Sequence, residues 1–107
     1  MKKIESAGLF ELPDGAVTKY REELRVATMS FGTYCLAAGA ADPQTPHLED
    51  EIYVVVAGRG SFTAAGQTVS VEPGAVLFVP AREEHRFHEI VEDLAVLVVF
   101  SPPHATA

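Results

Sequence analysis

The chain has 107 residues, with 8 Lys+Arg against 15 Asp+Glu and a formal net charge of −7, which is the length of one domain. Its 48% hydrophobic and 21% charged residues can build a core and do not match a disordered acidic segment. The acid excess leaves no basic stripe, which argues against nucleic acid or an anionic membrane surface as a partner.

A single cysteine, Cys35, allows no internal disulfide and favours a reducing, cytoplasmic setting. The opening Met1-Lys2-Lys3-Ile4-Glu5 has a positive start, but Glu5, Gly8, Glu11 and Pro13 interrupt any apolar run, so secretion is not expected. The longest apolar run, Leu94 to Phe100, is seven residues, far short of the roughly 20 a membrane helix needs.

Residues 1–23 read as an N-terminal leader with a short strand or turn, and only Lys19 to Leu24 suggests a helical turn. Residues 24–37 are rich in β-branched and aromatic side chains and read as one long or broken strand, with Gly32 as a bulge or bend. The stretch from Ala38 to Pro46 contains Pro43 and Pro46 and reads as a loop that delivers His47. Residues 51–57 form a nearly all-apolar strand that Gly58-Arg59-Gly60 should stop. Short strands at Phe62-Thr63 and Thr68–Val71 flank a turn at Ala64-Ala65-Gly66-Gln67. Pro73-Gly74 is a turn signal before a strand over 75–79, which Pro80 closes. His85–Val91 and Leu94–Phe100 read as a final pair around Glu92-Asp93, and 102–107 as a flexible tail.

Seven or eight short strands with turns about every 8 to 12 residues predict an antiparallel sandwich or barrel. Continuous apolar runs suggest strands covered on both faces, by the interior and by a second subunit, so a homodimer is expected.

Histidines stand at 47, 85, 88 and 104, three of them beside acidic residues. On an extended strand His47, Glu49, Glu51 and Tyr53 share parity, as do Glu83, His85 and Phe87, so each group can face one cavity. Two histidines and a carboxylate are the donor set of Zn, Fe, Mn and related ions, with positions left open for water or substrate. By residue type alone, solvated surface histidines remain the competing account. His88 has the opposite parity to His85 and should point away.

The spacing Gly39-x5-Thr45-x-His47-x3-Glu51-x6-Gly58 resembles the first motif of the cupin superfamily, with Thr45 where the family's first histidine ligand stands. Gly74-x5-Pro80-x-Arg82-x2-His85-x3-Glu89 resembles the second, with Arg82 in place of the usual glycine and Glu89 in place of asparagine. The resemblance covers most of residues 39–89. It implies an all-β double-stranded β-helix, or jelly-roll barrel, occupying residues 24–101.

The same resemblance implies that His47, Glu51 and His85 are metal ligands and that a divalent ion (Fe, Mn, Zn, Ni or Co) is the cofactor. The alternative is a metal-free cavity that keeps a hydrogen-bonded His–Glu pair. Glu49 is the candidate for proton transfer, although its place in Leu48-Glu49-Asp50 also suits a solvated carboxylate. Thr45, Tyr53, Phe78, Arg82 and Phe87 are candidates for lining a ligand cavity. The expected function is metal-dependent dioxygenase or isomerase chemistry on a small organic acid, sugar-derived or phenolic substrate; the other reading is small-molecule binding without turnover.

Overall fold

A computed structural model describes residues 1–105, and among these no helix forms. Six strands follow in chain order: β1 (Thr18–Arg25), β2 (Ser30–Leu36), β3 (Asp50–Ala64), β4 (Gln67–Val71), β5 (Val76–Val79) and β6 (His85–Ser101). All pairings are antiparallel and run β1-β2-β6-β3-β4, while β5 pairs with the first half of β3. The part of the tail expectation that concerns residues 106 and 107 lies outside the described residues.

Two long bent strands replace several of the short ones expected. β3 runs through Gly58-Arg59-Gly60 instead of stopping there, and β6 runs through Glu92-Asp93 instead of turning. The two pair along almost their whole length, with register shifts between Val55 and Ser61 that bend the ribbon. Gly58 has φ 91°, and a Cβ there would collide with the Asp93 carbonyl, so the glycine permits close backbone approach and a bend, not a strand end.

The bends also switch which residues face inward. Along β6, His85 and Phe87 are buried, then Ile90, Leu94, Val96, Val98 and Phe100, so parity flips between 87 and 90. Glu89, with φ 48°, stands at that flip. Each half of β3 pairs with a different short strand, β5 at Glu51–Val54 and β4 at Gly60–Ala64, and the curved sheet encloses Tyr53, Val55, Phe62, Phe87, Val96 and Phe100.

At the other edge, the residues read as a helical turn form β1, because pairing with β2 outweighs local preference. The irregularity expected at Gly32 lies on the partner strand, between Glu22 and Leu24. Gly32 has a different use: a Cβ there would collide with the Tyr20 ring, which lies flat on bare backbone and forms a wall of the barrel mouth. β2 is buried on both sides, since residues before β1 cross its outer face. The Gly8 N–H donates to Thr33 Oγ1 at 2.9 Å, and Cys35 lies beneath Leu9.

The segment after β6 is also ordered where described. The His104 N–H donates to the buried Ser30 Oγ at 2.8 Å, and Arg25 donates to the His104 carbonyl. Residues 102–105 are therefore folded back against the barrel mouth instead of forming a free tail.

Candidate metal centre

The loop from Gly39 to Leu48 enters β3 with a half-buried polar framework. Asp42 accepts hydrogen bonds from the Tyr34 hydroxyl (2.6 Å), the Phe87 backbone N–H (2.9 Å) and the Gln44 side-chain amide (2.6 Å). Gln44 Nε2 being the donor to Asp42 fixes the amide, so its carbonyl oxygen points the other way, into the barrel. There Gln44 Oε1 accepts from the Tyr53 hydroxyl at 2.8 Å and lies 3.1 Å from His47 Nε2 and 3.3 Å from His85 Nε2.

His47, Glu51 and His85 meet at this point, with donor atoms all within 4.8 Å of one another. Glu51 comes from β3 and His85 from β6, both almost completely buried, while His47 ends the loop. His85 Nδ1 donates to the Glu83 carbonyl at 2.8 Å, which leaves Nε2 facing the cluster. That nitrogen stands 2.8 Å from Glu51 Oε1 without the alignment of a hydrogen bond, and both Glu51 carboxylate oxygens are buried without a hydrogen-bond partner.

A buried carboxylate left in this state is strongly disfavoured. His85 Nε2 thus faces three oxygens, Glu51 Oε1 at 2.8 Å, the Tyr53 hydroxyl at 3.0 Å and Gln44 Oε1 at 3.3 Å, and a cation at this point, either a proton on His85 or a metal ion, satisfies them together. Burial works to lower the pKa of His85, but Glu51 and the Glu83 carbonyl outweigh it and leave the value above the histidine norm. Burial, with His104 and His85 nearby, lowers that of His47 despite Glu51, which keeps its imidazole neutral and able to ligate. Burial and then Glu51 hold Tyr53 well above its ordinary value, so it stays a protonated donor. The residues fit a divalent cation: two imidazoles, one carboxylate and an amide oxygen.

An inner cavity of about 190 Å³ opens beside the cluster, lined among others by Tyr20, Gln44, His47, Tyr53, Phe100 and His104. A wider cleft of about 560 Å³ lies outside it, bounded by Tyr20, Glu22, Thr45, His47, Glu49 and His104.

Tyr53 thus lies on the inner cavity and Thr45 on the rim of the outer cleft, exposed. Three cavity expectations are corrected. Phe78 is 63% exposed on the outside of the barrel, because β5 presents it opposite Ile52 on the outer face. Phe87 is fully buried under the site, packed on Phe62 at 4.7 Å and Tyr53 at 5.1 Å. Arg82 is exposed and lines neither space; its backbone N–H donates to the His47 carbonyl from a left-handed turn of φ 68°, a conformation that suits the glycine of the family pattern.

Two acidic and histidine readings also change. Glu49 is not a solvated carboxylate: it is 3% exposed and accepts from His104 Nδ1 at 2.9 Å, away from the inner set. His104 is ordered, stacked on Phe100 at 4.3 Å. His88 pairs with Thr63 outside the cluster, as its parity requires. Gln44 and Asp42 were missed because the motif directs attention to Thr45; only the polar pair flanking Pro43 hinted at them.

A curved antiparallel barrel with a His/Glu/His cluster at its mouth defines a class of small β-barrel proteins with a candidate metal site. The model of the cupin domain matches residues 32–100, and the chain belongs to the cupin family. An uncharacterized protein of Streptomyces coelicolor is 51% identical over 92 residues, covering 86% of this chain and 85% of its own. The structure is similar to that of KdgF from a Halomonas species (TM-score 0.75, 20% identity, 85% of each chain). It is also similar to a predicted oxalate decarboxylase from Thermotoga maritima (TM-score 0.69, 24% identity, 79% of this chain and 80% of that one). At these identities the structural likenesses speak for the fold. Among the described residues, no helix is long and apolar enough to cross a membrane.

Proposed function

We propose that this cupin is a metal-dependent enzyme of dioxygenase or isomerase type, acting on a small organic acid, sugar-derived or phenolic molecule, with His47, Glu51 and His85 as ligands. The observation that carries this reading is the Glu51 carboxylate, buried without a hydrogen-bond donor and facing His85 Nε2 at 2.8 Å. Gln44 Oε1, 3.1 Å from His47 Nε2 and 3.3 Å from His85 Nε2, would supply a fourth donor in place of the exposed Thr45. When bound, a divalent ion supplies Lewis-acid polarisation of a carbonyl or enolate or, as iron(II), dioxygen chemistry.

The chain's own groups do the rest. Asp42 fixes Gln44, the Glu83 carbonyl fixes the His85 tautomer, and Tyr53 donates to the cluster from below. The inner cavity, about 190 Å³, is smaller than the roughly 300–1,000 Å³ of sites for drug-sized ligands, which favours a small substrate. Glu49 reaches this cavity only through His104, so it is at most a group that orients that imidazole.

The test is elemental analysis of untagged protein purified anaerobically, beside folded His47→Ala and His85→Ala variants. Near-stoichiometric metal in the native chain as purified, which both variants lack before any metal is added, is the expected result. No metal, even after reconstitution with Fe(II), Mn, Co, Ni and Zn, overturns it. Thr45 in place of a histidine favours a second reading, a binding protein without turnover, for which ligand binding would survive His47→Ala.

We also infer a homodimer formed through the outer face of β3 and β5, where Ile52 pairs with Phe78 and both are exposed beside Val76. Light scattering should give a dimer that Phe78→Glu dissociates. A cytoplasmic setting is supported by the free, buried Cys35.

A further inference from the structure

His47 belongs to a second group of donors. His47, Glu49 and His104 also offer ligand atoms within 4.8 Å of one another. Glu49 precedes β3, and His104 comes from the segment after β6. Their side chains are 3% and 24% exposed, so a carboxylate is held under the surface with an imidazole as its side-chain partner and the Ala105 N–H as a longer contact, 3.3 Å. This is an unusual amount of buried polarity for a latch whose backbone is already secured to Ser30 and Arg25.

The imidazole is preset from several sides. Phe100 stacks on one face at 4.3 Å and 21°, the His47 ring meets it edge-on at 4.9 Å and 84°, and Glu49 binds Nδ1. The ring borders both the inner cavity and the outer cleft, so a small ion reaches it from solvent. Ligands of a tetrahedral ion stand about 3.4 Å apart for bonds of about 2.1 Å. Within the set, His104 Nδ1 and Glu49 Oε1 already stand 2.9 Å apart, and small shifts of a loop and a surface segment adjust the rest more readily than paired strands would.

We propose that His47, Glu49 and His104 form a second divalent-cation site at the barrel mouth, with one ligand supplied by the segment that follows β6. Two imidazoles and a carboxylate suit Zn²⁺, Co²⁺ or Ni²⁺. The site goes beyond the function proposed above and stands without it. Because His47 belongs to both groups, the two sites compete for that ring, and the outer one is read most clearly when the inner one is disabled.

The experiment is titration of the full-length chain carrying Glu51→Gln with Zn²⁺ alone, by calorimetry, with folding checked by circular dichroism. One zinc per chain is expected, and adding His104→Ala or Glu49→Gln should weaken it about tenfold or more. Absence of zinc binding to the Glu51→Gln chain overturns the proposal. So does binding that is unchanged by His104→Ala, which would make Glu49 and His104 a latch only. If Glu51→Gln does not fold, His85→Gln disables the same inner set and the two outer substitutions are tested on it. The inner site is read separately, as the metal retained by His104→Ala with Glu51 and His85 intact, so failure of one site is distinguishable from failure of the other.

Discussion

The inner and outer donor groups use the same chemistry, two imidazoles and one carboxylate, and share His47. They differ in what holds them. Glu51 and His85 stand on the two longest strands, β3 and β6, whose pairing fixes the separation of the donors; Glu49 and His104 stand on a loop and on a surface segment. They differ also in satisfaction: the Glu51 oxygens lack hydrogen-bond partners, while Glu49 accepts from His104 and Ala105. A rigid sheet can keep a carboxylate and an imidazole lone pair opposed until a cation arrives. A carboxylate and an imidazole on a loop and a surface segment settle into a hydrogen-bonded pair, so a strand-borne carboxylate–imidazole pair reports a metal site more strongly than a loop-borne one.

The largest effect should come from breaking the inner pair unevenly. In metal-free protein, His85→Ala leaves the Glu51 charge buried alone and should cost about 3–5 kcal/mol in urea unfolding. Glu51→Gln removes the charge instead and should cost much less, or stabilise. Equal losses would contradict the account of Glu51. Next, Gln44→Ala should weaken metal binding about 10- to 100-fold with little change in the fold, whereas Thr45→Ala should leave it unchanged.

The pH dependence has a definite sign. His85 has a folded-state pKa above its ordinary 6.5, so its contribution to metal-free stability is fully present below 6.5 and is lost as the pH rises through the raised value. Metal binding runs the other way, because the proton competes for Nε2: affinity should fall as the pH drops below that value. Urea midpoints of metal-free and metal-loaded protein, followed upward from below the ordinary histidine value, should therefore diverge with rising pH. The smallest effect is expected in the outer group. His104→Ala should cost about 1 kcal/mol and leave the first equivalent of metal bound.

The positions of His47, Glu51 and His85 were legible in the sequence through the two cupin-like motifs that carry them, which run into β3 and β6; strand parity alone left solvated histidines open, and His47 lies in the loop before β3. The strand count was not legible. Gly58 and the pair Glu92-Asp93 have the composition of turns, but they occupy a bend where two backbones cross closely, and that is decided by pairing over a long sequence separation. The same limit left the range of β1 open, since a short strand and a helical turn were both compatible with the leader, and it hid His104, whose order depends on Phe100, Glu49 and Ser30. Gln44 was hidden because its orientation is set by Asp42, a residue whose role is apparent only after the loop closes over Tyr34 and Phe87.

The central claim is that a cation belongs between His47, Glu51 and His85. It is tested most directly by an anomalous-difference map from crystals reconstituted with one equivalent of Zn²⁺ or Fe(II). The account predicts one strong peak about 2.0–2.2 Å from a ring nitrogen of His47, a carboxylate oxygen of Glu51 and Nε2 of His85. A well-diffracting crystal with no peak there, or with its first peak elsewhere, would contradict it.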